Sequence, residues 1–246
     1  MTGRPALKTD VPPAMEWTGE TIGRFWKWQA THPDHYFTNR FGDRIAAALA
    51  PFLSGCRSVL DYGCGPGFLV PHLIRRGFEV SATDQSPEAL RAVAERCAGR
   101  EGFAGARSPA SLIADGIRFD AAITVEVIEH LDDTQLETFF ANLRRLLDSG
   151  GIAVITTPNE ERLEDAMVYC PHCDHAFHRH QHRRSWSAQT LADRVAAAGL
   201  AVDRAFTTDF SEPRLGNLVG KAKRVVKHVL GRPEKRPHLV CIARQG

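Results

Sequence analysis

The 246-residue chain is short of several things at once. No run of 18 apolar residues exists, so no transmembrane helix is expected. The opening stretch MTGRPALKTDVPPAMEW has no apolar core of the kind a secretory signal needs, so a cytoplasmic location is the expectation. Charge is nearly balanced, at +2, which argues against bulk electrostatic capture of nucleic acid. Cysteine is sparse, with six residues, and only Cys170 and Cys173 have ligand-like spacing. In a reducing compartment the cysteines read as core thiols or metal ligands rather than disulfides. Internal repeats and low-complexity tracts are absent.

What is present is an alternation. SVLDYG, EVSATD, FAGARS, FDAAITVEV and IAVITTP read as short strands, and AVDRAFTT and HLVCIAR as two later ones. Between them lie helical stretches: FLVPHLIRRG ended by Gly77, a segment capped by Ser86 with Pro87 at its first position, DDTQLETFFANLRRLLDSGG, and SAQTLADRVAAAG. Such alternation predicts an α/β fold, a parallel sheet with helices on both faces. Residues 1–54 read as an arm and a helical cover, and 55–246 as the main domain. That domain carries two insertions, a cysteine- and histidine-rich one at 160–186 and a basic one at 211–237.

The stretch VLDYGCGPGF, residues 59–68, ends a strand in a glycine-rich turn and opens a helix. That arrangement binds nucleotides at the carboxyl edge of a parallel sheet, because glycine lets the backbone turn sharply and lets a ligand approach closely. Gly63, Gly65 and Gly67 give G-x-G-x-G rather than the dinucleotide pattern G-x-G-x-x-G, and Asp61 stands just ahead of them. An acid there suits a cationic ligand better than a pyrophosphate. Asp84 ends the next strand, where a carboxylate can accept from both hydroxyls of a ribose.

Together with FDAAITVEVIEHL, these residues resemble the class I S-adenosylmethionine-dependent methyltransferases over roughly residues 55–200 and the last strand. The resemblance implies a Rossmann-like seven-stranded sheet whose last strand, HLVCIAR, is antiparallel. It implies cofactor contacts at Asp61, Gly63, Gly65, Gly67, Asp84, Gln85, Val125 and Glu126, with the backbone near Val125 and Glu126 at the methionine part. Glu129 and His130 would then face the acceptor as catalytic residues. The EVIEHL run resembles that of ubiquinone-biosynthesis O-methyltransferases and of small-RNA 2′-O-methyltransferases.

Two readings of that run stand. In one, His130 is a general base for an acceptor hydroxyl, a task suited to its ordinary pKa near ~6.5. In the other, as the small-RNA enzymes imply, Glu126, Glu129 and His130 hold a divalent cation with a distant histidine, for which His182 is the best positional match. Glu129 can also simply favour the N-terminus of the following helix through its charge.

YCPHCDHAFHRHQHRRSW contains Cys170 and Cys173 as C-x₂-C, then His178 and His182 as H-x₃-H, the ligand inventory of a Cys₂His₂ zinc site. His182 cannot serve both metal sets, and the sequence leaves the allocation open. Arg179, Arg183 and Arg184 are candidates for gripping an anion. The segment Lys221–Arg236 carries +6 and the rest of the chain −4. Residues 215–230 form a basic amphipathic pattern, either a lid helix or a peripheral membrane contact.

The expected activity is methyl transfer to a hydroxyl on a sugar, glycan intermediate or other small metabolite. An RNA acceptor and a non-catalytic cofactor-binding protein are the alternatives, and the oligomeric state is not fixed by the sequence.

Overall fold

The computed structural model describes residues 12–211 and 236–246. The amphipathic segment 215–230 and nearly all of the basic insertion 211–237 lie outside the described residues. A seven-stranded sheet forms from β1 (Ser58–Tyr62), β2 (Glu79–Thr83), β3 (Phe103–Ala106), β4 (Phe119–Val125), β5 (Leu147–Pro158), β8 (Leu200–Thr208) and β9 (His238–Gln245), in the order β3-β2-β1-β4-β5-β9-β8. The first five are mutually parallel, and β9 runs antiparallel to both of its neighbours. The expected Rossmann-like sheet with an antiparallel last strand is therefore present.

Side chains alternate across each strand, so neighbouring residues feed two separate cores. Val59, Val80, Ile123, Val154 and Val240 pack on one face with Ile45 and Leu49 of α2 (Phe37–Leu49), Leu73 of α3 (Val70–Ile74) and Val93 of α4 (Pro87–Arg96). Leu60, Ala122, Ile155 and Cys241 pack on the other, against Leu112 of α5 (Pro109–Ala114), Phe140 and Leu143 of α6 (Asp133–Leu146), and Leu191 and Val195 of α7 (Ala188–Ala197). Helices thus cover both faces, as the apolar stripes predict.

The starts of these helices follow from local chemistry. Ser86 accepts the amide of Ala89, and Asp132 and Ser187 form capping boxes with Gln135 and Thr190. Each cap is worth about 1 kcal/mol. Three details differ from the sequence reading. The helix expected over DDTQLETFFANLRRLLDSGG ends at Leu146, and LDSGG opens β5 instead. The helix expected over FLVPHLIRRG is only Val70–Ile74, because its first residues belong to the glycine turn. Helix α5 is capped by Ser108 with Pro109 behind it, signals hidden in a six-residue helix.

Ahead of the sheet lie α1 (Gly19–Gln29) and α2. The 160–186 excursion contains an antiparallel hairpin, β6 (Met167–Cys170) and β7 (His175–His178). The arm extends it: Met15 N–H donates to Ala176 O at 2.8 Å, and Ala176 N–H donates to Pro13 O at 2.9 Å.

Candidate active site

Parallel strands gather their carboxyl ends along one edge, and the strand order reverses between β1 and β4, which is where ligands bind in such sheets. The glycine elbow leaves β1 there. Gly63 and Gly67 have φ of +82° and +75°. A Cβ on Gly63 would sit 2.6 Å from Val127, and one on Gly67 would sit 2.1 Å from Val93. Only glycine permits both the turn and those approaches. The contact with Val127 packs the 126–130 loop directly on the elbow.

Asp84 Oδ2 accepts the Gly65 amide at 2.9 Å and Oδ1 accepts the Ser86 amide at 2.9 Å. Each oxygen keeps a lone pair for a ligand hydroxyl. Asp61 is 2% exposed and its Oδ2 has no hydrogen-bond partner. Burial, helped by the charge of Asp84, pushes its carboxyl up to about 7. Gln85 follows Asp84 on the surface, and Val125 ends β4 almost fully buried.

Tyr36 was not singled out in the sequence. Its ring lies 3.4 Å from where a Gly65 Cβ would be and 5.4 Å from the Phe68 ring. Burial, with the charge of Asp84, raises its hydroxyl to about 12. The helical cover therefore reaches the elbow, a through-space fact that no motif announces.

The EVIEHL residues part company. Glu126 adopts φ +55°, rare for a residue with a side chain. Its carboxylate accepts from Thr156 Oγ1 at 3.0 Å and lies 3.5 Å from His238 Nδ1. Glu129 is 1% exposed; Oε2 accepts from Thr157 Oγ1 at 3.0 Å, and Oε1 has no partner. Burial first, then the nearby Glu126, holds its carboxyl well above the usual range. His130 Nε2 is 3.9 Å from Glu129 Oε1. Burial and the neighbouring His182 pull His130 down to about 3.

Ligand atoms of Glu129, His130 and His182 lie within 4.8 Å of one another, and so do those of Glu161, His178 and His182. The cysteines are elsewhere. In the hairpin Cys170 pairs with His175, three positions from His178, which pairs with Met167. Three residues of strand span roughly 10 Å, and tetrahedral ligands must meet within about 4 Å. The single Cys₂His₂ set expected from Cys170, Cys173, His178 and His182 is corrected accordingly. His178 and His182 turn inward, whereas Cys170 and Cys173 stand at the hairpin tip with His172 and His175. Glu126 is likewise outside both groups, because Thr156 and His238 draw its carboxylate toward β5 and β9.

The excursion is pinned where it leaves and returns, Glu160 N–H donating to Trp186 O at 2.8 Å. Arg183 N–H donates to Glu129 O at 2.8 Å, and Gln181 Nε2 donates to His130 O at 3.2 Å. Gln181 Oε1 in turn accepts from Trp26 Nε1 of α1 at 3.2 Å, and the Trp26 and His130 rings meet edge-on at 5.0 Å. Arg184 pairs with Asp133 at 2.8 Å and Arg183 lies 3.7 Å from Asp132, so both arginines fasten the loop to the start of α6. Among the described residues, no helix is long and apolar enough to cross a membrane.

A methyltransferase-domain family profile matches residues 33–205. A ubiquinone biosynthesis O-methyltransferase of Caulobacter vibrioides is 38% identical over 121 residues, covering 48% of this chain and 46% of that protein. One of Cereibacter sphaeroides is 35% identical over 129 residues, covering 51% and 50%. The matched region thus spans about half the length of these curated relatives. Among solved structures, an S-adenosylmethionine-dependent methyltransferase from Archaeoglobus fulgidus superposes with TM-score 0.55 at 18% identity, over 85% of this chain and 97% of that one. A glycopeptide N-methyltransferase complexed with S-adenosyl-L-methionine gives TM-score 0.59 at 15% identity, over 83% and 94%. At such identities these two share the fold.

Proposed function

The chain belongs to the methyltransferase-domain family, and from that premise we propose that it moves the sulfonium methyl of S-adenosylmethionine to a hydroxyl oxygen of a small acceptor, with a divalent cation at Glu129, His130 and His182. The acceptor class is a sugar, a glycan intermediate or another small hydroxyl metabolite. The observation that carries the reading is the convergence of those three side chains on a loop packed against the glycine elbow. Relatives whose names specify O-methylation point the same way.

The donor set fits a cation. A buried carboxylate oxygen without a partner is costly, and a cation would supply the charge that Glu129 Oε1 lacks. His130, with its pKa pulled to about 3, is neutral at physiological pH and keeps a lone pair for ligation. The same shift makes His130 a far weaker proton acceptor than free imidazole, which favours the ligand role over that of a plain general base. Bound there, a divalent cation would lower the pKa of the acceptor hydroxyl and orient it.

The chain's own residues do the rest. The elbow admits the cofactor backbone, and Asp84 offers its free lone pairs to the ribose hydroxyls. Trp26 and Tyr36 shield the edge from water. Transfer then depends on holding oxygen, methyl and sulfur in line: the O–CH3 bond forms as the S–CH3 bond breaks, S-adenosylhomocysteine leaves, and the hydroxyl proton, acidified by the cation, passes to solvent.

The test is methyl transfer from labelled S-adenosylmethionine to a panel of sugars, phenols and amines, with and without chelator. Transfer to hydroxyls that stops with chelator, returns with Mn²⁺ or Mg²⁺, and is lost in Glu129→Gln is expected. Chelator-resistant transfer, or transfer to amines alone, ends the reading. A small-RNA 2′-hydroxyl is the second acceptor class, favoured because His182, the distant histidine that resemblance implies, does meet Glu129 and His130. Oligoribonucleotides in the same panel decide it, since RNA binding would weaken steeply with salt.

A further inference from the structure

His182 belongs to two groups of side chains at once, and hydrogen-bond chemistry decides what the second one does. His178 is 3% exposed. Its Nδ1 accepts two backbone amides, from His182 at 3.1 Å and His180 at 3.3 Å. Backbone amides only donate, so Nδ1 carries the lone pair and the proton of the neutral ring sits on Nε2. Its Nε2–H faces Glu161 Oε1 at 3.4 Å, long for a hydrogen bond. Ligation through Nε2 would require stripping that proton from a neutral imidazole. Glu161, His178 and His182 are therefore not a second cation site.

They form a chain of orientation instead. Glu161 Oε2 lies 2.5 Å from His182 Nδ1. An ionised carboxylate only accepts, so the proton between them is on Nδ1 of His182. In the neutral ring the nitrogen left with a lone pair is then Nε2. The His178 and His182 rings stack at 4.5 Å and 21°, which holds the planes together.

We infer that Glu161, steadied by His178, is a positioning residue that fixes the tautomer of His182 and so prepares Nε2 as the third ligand beside Glu129 and His130. The inference rests on the cation reading above. Ligating histidines generally donate their other N–H to a carboxylate, which orients the ring and makes it more basic. Here the carboxylate comes from the end of β5, three residues past Pro158, and the histidine from the loop after β7.

Two measurements on the full chain test it. The first is the imidazole ¹⁵N–¹H spectrum without metal, with the His182 signals assigned through His182→Gln. The parent should show Nδ1–H on His182, and Glu161→Ala should move it toward Nε2–H. The second is Mn²⁺ affinity, read by the free-ion electron spin resonance signal. Glu161→Ala should weaken it about 10- to 100-fold. Glu161→Gln should recover part, because its amide oxygen still accepts from Nδ1–H. S-adenosylmethionine affinity in the same samples reports folding; if the alanine variant fails there, the glutamine variant and the parent spectrum decide. A parent with Nε2–H on His182, or a folded Glu161→Ala with the parent's Mn²⁺ affinity, overturns the positioning role alone. A parent that holds Mn²⁺ no better than Glu129→Gln ends the cation reading and this inference with it.

Discussion

Binding of S-adenosylmethionine should expel a proton from Asp61, in an amount that depends on pH. The carboxyl is 2% exposed, lacks a partner on Oδ2, and is pushed to about 7 by burial and by Asp84. A cationic ligand at the elbow would favour the ionised form and return it toward an ordinary value near ~3.8. The free chain then carries roughly 0.9 proton at pH 6, 0.5 at pH 7 and 0.1 at pH 8 on this group, nearly all of it released on binding. Calorimetric titration in buffers of different ionisation enthalpy reads that number directly. Asp61→Asn should abolish the pH dependence and weaken binding, since the amide cannot supply the charge. The same group should tilt stability. With a folded pKa above the unfolded one, its favourable contribution is complete below pH ~4 and is lost as pH rises through about 7. The total is about 4 kcal/mol at most, and Asp61→Asn should flatten that slope in urea unfolding. A proton count that is constant from pH 6 to 8, or that survives in Asp61→Asn, would refute the reasoning.

Gly67→Ala should cost about 2–5 kcal/mol of stability by urea unfolding, from positive φ and the 2.1 Å approach to Val93; a loss below about 0.5 kcal/mol would sink the close-packing argument. Asp84→Ala should weaken S-adenosylmethionine about 10- to 100-fold by calorimetry, the worth of hydrogen bonds to a charged group; unchanged affinity would remove the ribose role. The double variant Cys170→Ser/Cys173→Ser should keep the parent's Mn²⁺ affinity, because the hairpin register holds both residues away from His182; a tenfold loss would restore the thiolates to the site. In the native chain an aromatic disulfide should label Cys173 before the buried Cys64, Cys97 and Cys241, and equal rates would contradict the packing.

How far the sequence carries the site depends on whether a feature is local. The glycine elbow, Asp84 at a strand end and the Ser86 and Ser187 caps are all written within a few residues, and each stands where its spacing predicts. His182 was reachable because a resemblance supplied a distant partner. Glu161, Tyr36 and Trp26 carry no local signal. One follows a strand without a motif and the other two sit in an aromatic-rich cover, so only the folded chain brings them to the edge. As a cation ligand, Glu126 is the instructive case. Its position within EVIEHL suggested a ligand, but its left-handed backbone and the pull of Thr156 and His238 turn its carboxylate another way.

The cysteine- and histidine-rich excursion shows why ligand inventory alone misleads. A long insertion must be ordered by something, and C-x₂-C followed by H-x₃-H suggests that a metal does it. The order visible here has other sources: a backbone bond closing the excursion at Glu160 and Trp186, an arm strand added to β7, two arginine pairs to the start of α6, and Gln181 tying the loop to both α1 and His130. With its ends and middle held by these contacts, the loop does not need its histidines as structural staples. It is free to spend His182 on the edge where the glycine elbow and the 126–130 loop meet, with His178 and Glu161 holding the ring in place. The placement of Cys170 and Cys173 at the tip, with His172 and His175, and of His178 at the base follows from a hairpin register that no count of ligands could reveal.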